Sequence, residues 1–306
     1  LEQNKHADII LTTDYIDLAA LKSCLGQQYQ NTKFFLYFHE SQLAYPWSEF
    51  EAEKKEKRAY HFAYINFMSA YVADKVFFNS SFHKNIFFDL TMEMLKKMPD
   101  YQELQSINII KEKSSVIPLC LEDEKVSEIN DGRQVGSILW NHRWEYDKNP
   151  EDFYESLAML EESDFNFSLF LIGQKKIKYP KVFDQMIGRY QDRIKYLPPI
   201  DSRSEYLNIL AKSDYQIVTS NHDFFGLSVV EAMQFGVIPI LPNRLAYPEH
   251  LSDEIKFLMY ENTSEIPNII KKVEKMNKSL LREKIKKSIA RYLWTNTRKL
   301  YEDIFA

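Results

Sequence analysis

The sequence predicts an α/β protein made of two Rossmann-like, parallel-sheet domains facing a central cleft. Three observations predict it. Short, continuous apolar runs alternate with amphipathic segments, the pattern of strands covered on both faces and separated by helices. The alternation stops once, in the polar stretch EDEKVSEINDGR (123–134), and then restarts. A length of 306 residues exceeds one simple core and suits two domains. The expected division is a domain over 1–133 and a second over 134–306, with the last helix packing back toward the first domain.

The elements follow in order. ADIILTTD (7–14) and TKFFLYFHE (32–40) read as buried strands, and EAEKKEKRAYHFAYINFMSAYVADK (51–75) as a long helix. KVFFNSS (75–81) is a third strand, FHKNIFFDLTMEMLKKM a helix, and SSVIPLCLE (114–122) a fourth strand. In the second half GSILWNHR (136–143), NFSLFLIG (166–173), RIKYLPPI (193–200), YQIVTS (215–220) and VIPILPN (237–243) read as strands. Between them lie helices at NPEDFYESLAMLEES, opened by Pro150, at SRSEYLNILAKSD (202–214), and at VVEAMQFG, stopped by Gly236. The C-terminal third is helical and lysine-rich.

Composition bounds the function. Hydrophobic residues make up 45% and charged residues 27%, ordinary for a globular protein, and no eighteen-residue apolar run exists to span a membrane. A net charge of −5 argues against a dedicated nucleic-acid module and leaves room for a local basic patch, for which KKIK (175–178) and 271–287 are candidates. Such a run also fits a solvated amphipathic helix. Cys24 and Cys120 lack metal-ligand spacing, sit among aliphatic residues and read as buried free thiols of a reducing, cytoplasmic compartment. No metal site is expected.

In such sheets ligands bind outside the carboxyl ends of the strands, so the polar residues following each strand are the candidates. They are His39-Glu40, Asn141-His142-Arg143 with Lys148, Asn221-His222-Asp223, and Asn243. The His39-Glu40 pair fits a strand-end cap or a ligand-contacting histidine, and the other polar strand ends favour the second. Arg143 offers a planar fork of donors and Lys148 a mobile point charge, which together suit a diphosphate. The tryptophans flanking their loop set it apart from an ordinary solvent loop. In DFFGLSVVE the turn Phe225-Gly226-Leu227-Ser228 lets backbone N–H groups approach a ligand at a helix start, with Asp223 before it and Glu231 after it.

DFFGLSVVEAMQFG resembles the donor-site motif of retaining glycosyltransferases of the GT-B fold, family 4, in which two acidic residues are separated by seven residues around F-G-L. The first is Glu in most members; here it is Asp223. IPILP and the Arg143/Lys148 pair also match. YFHESQLAYP (37–46), LWNHRWEYDKNP (139–150), NHDFFGLSVVEA and PNRLAYPE (242–249) are similar to the group identified with tRNA-queuosine α-mannosyltransferase.

The resemblance implies GDP-mannose as co-substrate without a further cofactor, and queuosine-bearing tRNA as acceptor. It assigns the diphosphate to Arg143, Lys148 and the amides of Gly226 to Ser228, the ribose to Glu231, sugar hydroxyls to Asp223, and sugar positioning to His39. It also implies retention without a metal or a protein nucleophile. Other acceptors within the same resemblance are a cell-envelope lipid or polysaccharide; a third reading is a non-catalytic nucleotide- or RNA-binding protein of the same fold. Nothing before Asp8 reads as the first strand and glycine-rich loop of such proteins, so the chain is expected to lack them.

Overall fold

A computed structural model describes residues 7–44, 52–100, 102–124 and 132–305. The chain divides into two compact units: Leu1–Leu119 with Arg298–Ala306, and Cys120–Thr297. This division falls just ahead of the polar stretch 123–134, whose middle lies outside the described residues, as do Tyr45 and Pro46 of the YFHESQLAYP motif.

In the N-terminal unit the order is β1 (Ile9–Thr13), α1 (Leu18–Cys24), β2 (Lys33–Phe38), α2 (Ala52–Val72), β3 (Lys75–Phe78), α3 (Ser81–Lys96), α4 (Ser106–Glu112) and β4 (Ser114–Val116). All strands pair parallel in the order β1-β2-β3-β4. The apolar run of β2 is buried on both faces because successive side chains alternate. Phe34, Leu36 and Phe38 join Ala63, Phe67 and Phe87 in one core, while Phe35 and Tyr37 join Phe77, Ile117, Tyr301 and Ile304 in another. Tyr301 and Ile304 lie on the C-terminal helix, whose end therefore covers the second face of this sheet.

In the C-terminal unit β5 (Ser137–Trp140), α5 (Pro150–Glu162), β6 (Ser168–Leu171), α6 (Val182–Tyr190), β7 (Ile194–Tyr196), α7 (Arg203–Lys212), β8 (Tyr215–Ile217), α8 (Leu227–Gln234) and β9 (Ile238–Pro242) alternate. β10 (Met259–Tyr260), α9 (Ile266–Glu274), α10 (Lys278–Ile289) and α11 (Trp294–Phe305) follow. The parallel sheet runs β10-β9-β8-β5-β6-β7. Strand order reverses between β5 and β8, so the loops leaving these two strands diverge and open a crevice at their carboxyl ends.

The expected strands and long helices form, most of them trimmed at their ends, while α3 and α8 begin one and two residues earlier than their apolar runs, at Ser81 and Leu227. Three helices were not expected: α1 and α4 have only seven residues each, and α6 has nine behind a lysine-rich loop. The cysteine expectation is corrected. Both Cys24 and Cys120 are exposed, because Cys24 ends a short surface helix and Cys120 sits in the segment after β4. No described helix is long and apolar enough to cross a membrane.

Candidate active site

The loop after β5 is fixed from beneath. Trp140 and Trp144 are fully buried, and Trp144 stacks on Phe183 with ring centroids 4.1 Å apart. The Trp140 indole donates to the His142 carbonyl at 2.9 Å, and a Cβ at Gly173 would overlap that same carbonyl. The tryptophans therefore clamp the loop from the core rather than facing a ligand. Asn141 is equally structural. Its amide donates to Ser228 O at 2.9 Å and Tyr206 Oη at 3.2 Å, and its oxygen accepts from Gln216 at 2.6 Å. This ties β5, α7, β8 and the start of α8 into one polar knot.

Lys148 is not a mobile charge. Its side chain is 8% exposed. Its ammonium donates to the His222 carbonyl at 2.6 Å and lies 3.2 Å from Oδ2 of Asp147 and 3.2 Å from Oδ2 of Asp223. The backbone holds it there: Thr219 Oγ1 donates to the carbonyls of Lys148 and Asn149, and the Asn221 amide donates to the Asp147 carbonyl at 2.8 Å. Arg244 braces the other side by donating to the carbonyls of Thr219 and Ser220. Arg143 is separate, with a side chain 48% exposed and paired to Glu145 at 3.2 Å; Glu145 also pairs with Lys176.

Asp223 receives Tyr247 Oη at 2.6 Å on Oδ2. Burial alone would push its carboxyl upward, but the Lys148 charge, the charge of a protonated His142 and the hydrogen bonds from Tyr247 and Lys148 outweigh this and hold it below the usual carboxylate range. His142 and His222 are both lowered to about 4, chiefly by burial, with Lys148 adding to it. Both are neutral at pH 7, so the charge at this spot is set by Asp147, Lys148 and Asp223.

The turn behaves as its glycine suggests. Gly226 has φ +78° and caps α8 from the left-handed region, and a Cβ there would meet Tyr247 Cε1 at 2.8 Å. Val229 and Val230 both donate to the Gly226 carbonyl, which leaves Leu227 and Ser228 N–H groups at the helix start outside the intrahelical ladder. Ser228 Oγ lies 3.2 Å from His142 Nδ1. The ring of Phe225, expected at the ligand turn, is buried against His250 and Tyr292.

Glu231 faces a different neighbourhood. Oε1 pairs with Arg203 at 2.7 Å and Oε2 accepts from Tyr206 at 2.9 Å. Arg203 and Tyr206 also line a cavity of about 770 Å³, with Lys175, Tyr179, Pro198 and Pro199 on its other walls. Asn243 stands apart from both acids; its side chain donates to Glu261 at 2.5 Å. Asn221 and Leu227 are exposed at the rim of the turn.

In the N-terminal unit the His39 amide donates to Asp14 at 2.9 Å, and its ring lies 4.8 Å from that of Tyr37. Tyr15 Oη donates to Glu40 at 3.3 Å. Sequence reasoning missed Asp147, Tyr206, Arg203 and Tyr247, which hold the acids and the lysine in place. Tyr247 lies inside PNRLAYPE, but only its partner across the fold reveals its task. Among the described residues no group of three or more His, Cys, Asp or Glu could hold a metal.

Two Rossmann-like parallel-sheet units, the second with its polar loops at the β5/β8 reversal, define the GT-B class of glycosyltransferase fold. Sucrose-phosphate synthase from Thermosynechococcus elongatus superposes with a TM-score of 0.69 at 16% identity over 97% of this chain and 74% of that one. A trehalose-phosphate synthase from Burkholderia xenovorans gives 0.69 at 14% identity over 98% and 74%. The Anabaena protein HepE, solved with UDP and glucose, gives 0.65 at 16% identity over 98% and 78%.

Residues 122–291 match the glycosyl transferases group 1 model, and the chain belongs to that family. Residues 1–121 match the model for the N-terminal region of tRNA-queuosine alpha-mannosyltransferase. The Drosophila melanogaster tRNA-queuosine alpha-mannosyltransferase is 30% identical over 226 residues, 70% of this chain; the match spans 58% of that relative's length.

Proposed function

We propose that the protein is a retaining glycosyltransferase that moves mannose from GDP-mannose to queuosine in tRNA. One observation carries the donor side. The α8 turn has a fixed ammonium and a carboxylate at one end, and at the other a carboxylate whose partners line a cavity of about 770 Å³. This supports reading one end as the phosphate–sugar half and the other as the nucleoside half of a nucleotide-sugar site. The N-terminal match to tRNA-queuosine alpha-mannosyltransferase supports the acceptor.

In this reading Lys148, Arg143 and the amides of Gly226 to Ser228 receive the diphosphate, where a helix start favours negative charge. Glu231 takes the ribose, the base enters the cavity, and Asp223 takes sugar hydroxyls. His39 and Glu40 enter through the motif they share with the tRNA-queuosine group. The sugar C1–O bond breaks with its electron pair leaving on the diphosphate. The acceptor hydroxyl oxygen forms the new bond on the same face, and its proton passes to the departing phosphate oxygen. No protein nucleophile or metal is required; the rate gain comes from positioning and from cations fixed before charge develops.

The test is a nucleoside digest after incubating the full-length protein with queuosine-containing tRNA and GDP-mannose. A mannosylated queuosine peak is expected, and an unchanged queuosine peak overturns the acceptor. Thermal shifts across nucleotide sugars test the donor; a shift with GDP-mannose no larger than with UDP-sugars overturns that half.

A further inference from the structure

Tyr247 and Lys148 approach Asp223 through the same oxygen. Tyr247 Oη lies 2.6 Å and Lys148 Nζ 3.2 Å from Oδ2. No hydrogen bond from a described residue uses Oδ1, and the side chain keeps 20% of its surface exposed. The tyrosine is itself immovable. It is fully buried, it begins the tight turn Tyr247–His250, and its ring lies so close under Gly226 that any side chain there would strike it.

The same turn grips the loop a second time. His250 Nε2 lies 2.5 Å from the Phe225 carbonyl, and a carbonyl only accepts, so the proton sits on Nε2. Nδ1 is then free to accept from Tyr292 Oη at 3.1 Å. Burial lowers His250 to about 4, which fixes this neutral tautomer at pH 7. Two bonds from one turn, to the Asp223 side chain and to the Phe225 backbone, thus set where the acid stands relative to the start of α8.

We propose that Tyr247 is a positioning residue for the donor sugar: by occupying Oδ2 with Lys148 it turns Oδ1 outward as the sugar-hydroxyl contact. The inference rests on the reading of Asp223 as the sugar acid. It also gives the shorter acid a rationale. One methylene more would move the carboxylate off Tyr247 Oη, whose ring cannot follow because the Gly226 turn encloses it.

The test is calorimetric binding of GDP and of GDP-mannose to the full-length wild type and to Tyr247→Phe, which keeps the ring packing and removes one hydroxyl. GDP affinity is expected within twofold of wild type, and GDP-mannose affinity about tenfold weaker, the loss for one hydrogen bond to a charged group. The acid limb of GDP-mannose binding should move to higher pH, because removing a hydrogen bond to the carboxylate raises its pKa. Tyr247→3-fluorotyrosine, a stronger donor of the same shape, should move that limb to lower pH. Unchanged affinities for both nucleotides, equal weakening of both, or an unmoved acid limb in both variants would overturn the role. A wild type that binds neither nucleotide would overturn the donor reading together with it.

Discussion

Asp223 and Glu231 stand at the two ends of one turn-and-helix unit, and each is held by a tyrosine and a cation. The arrangements nevertheless differ. Asp223 keeps 20% of its side chain exposed, and Tyr247 and the buried Lys148 share one of its oxygens. Glu231 has one partner on each oxygen, and its cation, Arg203, is half exposed and shared with Glu124. One end is held by a buried cation and a buried tyrosine; the other is paired with a half-exposed arginine at a cavity wall that water and ligand can rearrange. A rigid acid suits a sugar whose geometry must be held during transfer. A yielding acid suits a ribose that must enter and leave.

The pH response should expose the difference most strongly. His142, His222 and His250 all cluster at the Asp223 end and are lowered to about 4. Their folded pKa values lie below the ordinary 6.5, so their stabilising effect is complete above pH 6.5. It is lost as pH falls toward 4, where the depressed Asp223 carboxyl works in the same direction. Urea melts at pH 7.5, 6 and 5 should show progressive destabilisation, on the order of 5 kcal/mol by the lowest pH. A flat profile between 7.5 and 5 would break the picture of an end lined by buried histidines.

Lys148→Ala should cost about 3–5 kcal/mol, because the buried Asp147 and the part-buried Asp223 are left without their cation. Chemical denaturation measures this, and Lys148→Ala with Asp223→Asn should recover part of the loss. Gly226→Ala comes next, at about 1–3 kcal/mol with weakened donor binding, since it must leave the left-handed region and press on Tyr247. Glu231→Gln is expected to lower donor affinity about tenfold while changing stability by less than about 1 kcal/mol, as a pair with a half-exposed arginine contributes little. Equal stability losses for Lys148→Ala and Glu231→Gln would erase the contrast between the two ends.

All strands but the two-residue β10 were legible because a strand buried on both faces reads as an unbroken apolar run, as in FFLYF and SILW. The rule that ligands gather at strand ends picked out Asn141, His142, Lys148 and Asp223 before any contact was known. Short helices such as α1 escaped, since seven residues carry too few turns for a period to register. The thiols escaped for a different reason: neighbouring aliphatic residues in sequence do not decide which way one side chain faces.

The sequence by itself determined the α/β class, the glycine turn between two acids, and the family to which the chain belongs. These are properties of local patterns: periodicity, a residue able to take positive φ, and a motif read along a continuous stretch. Only the tertiary structure decided that Lys148 is locked between two carboxylates, that the tryptophans clamp from the core, and that Tyr247 claims one oxygen of Asp223. The bonds Tyr247–Asp223 and Lys148–His222 join residues 24 and 74 positions apart. Their partners are chosen by how two loops diverge at the β5/β8 reversal, a geometry that no window of sequence contains.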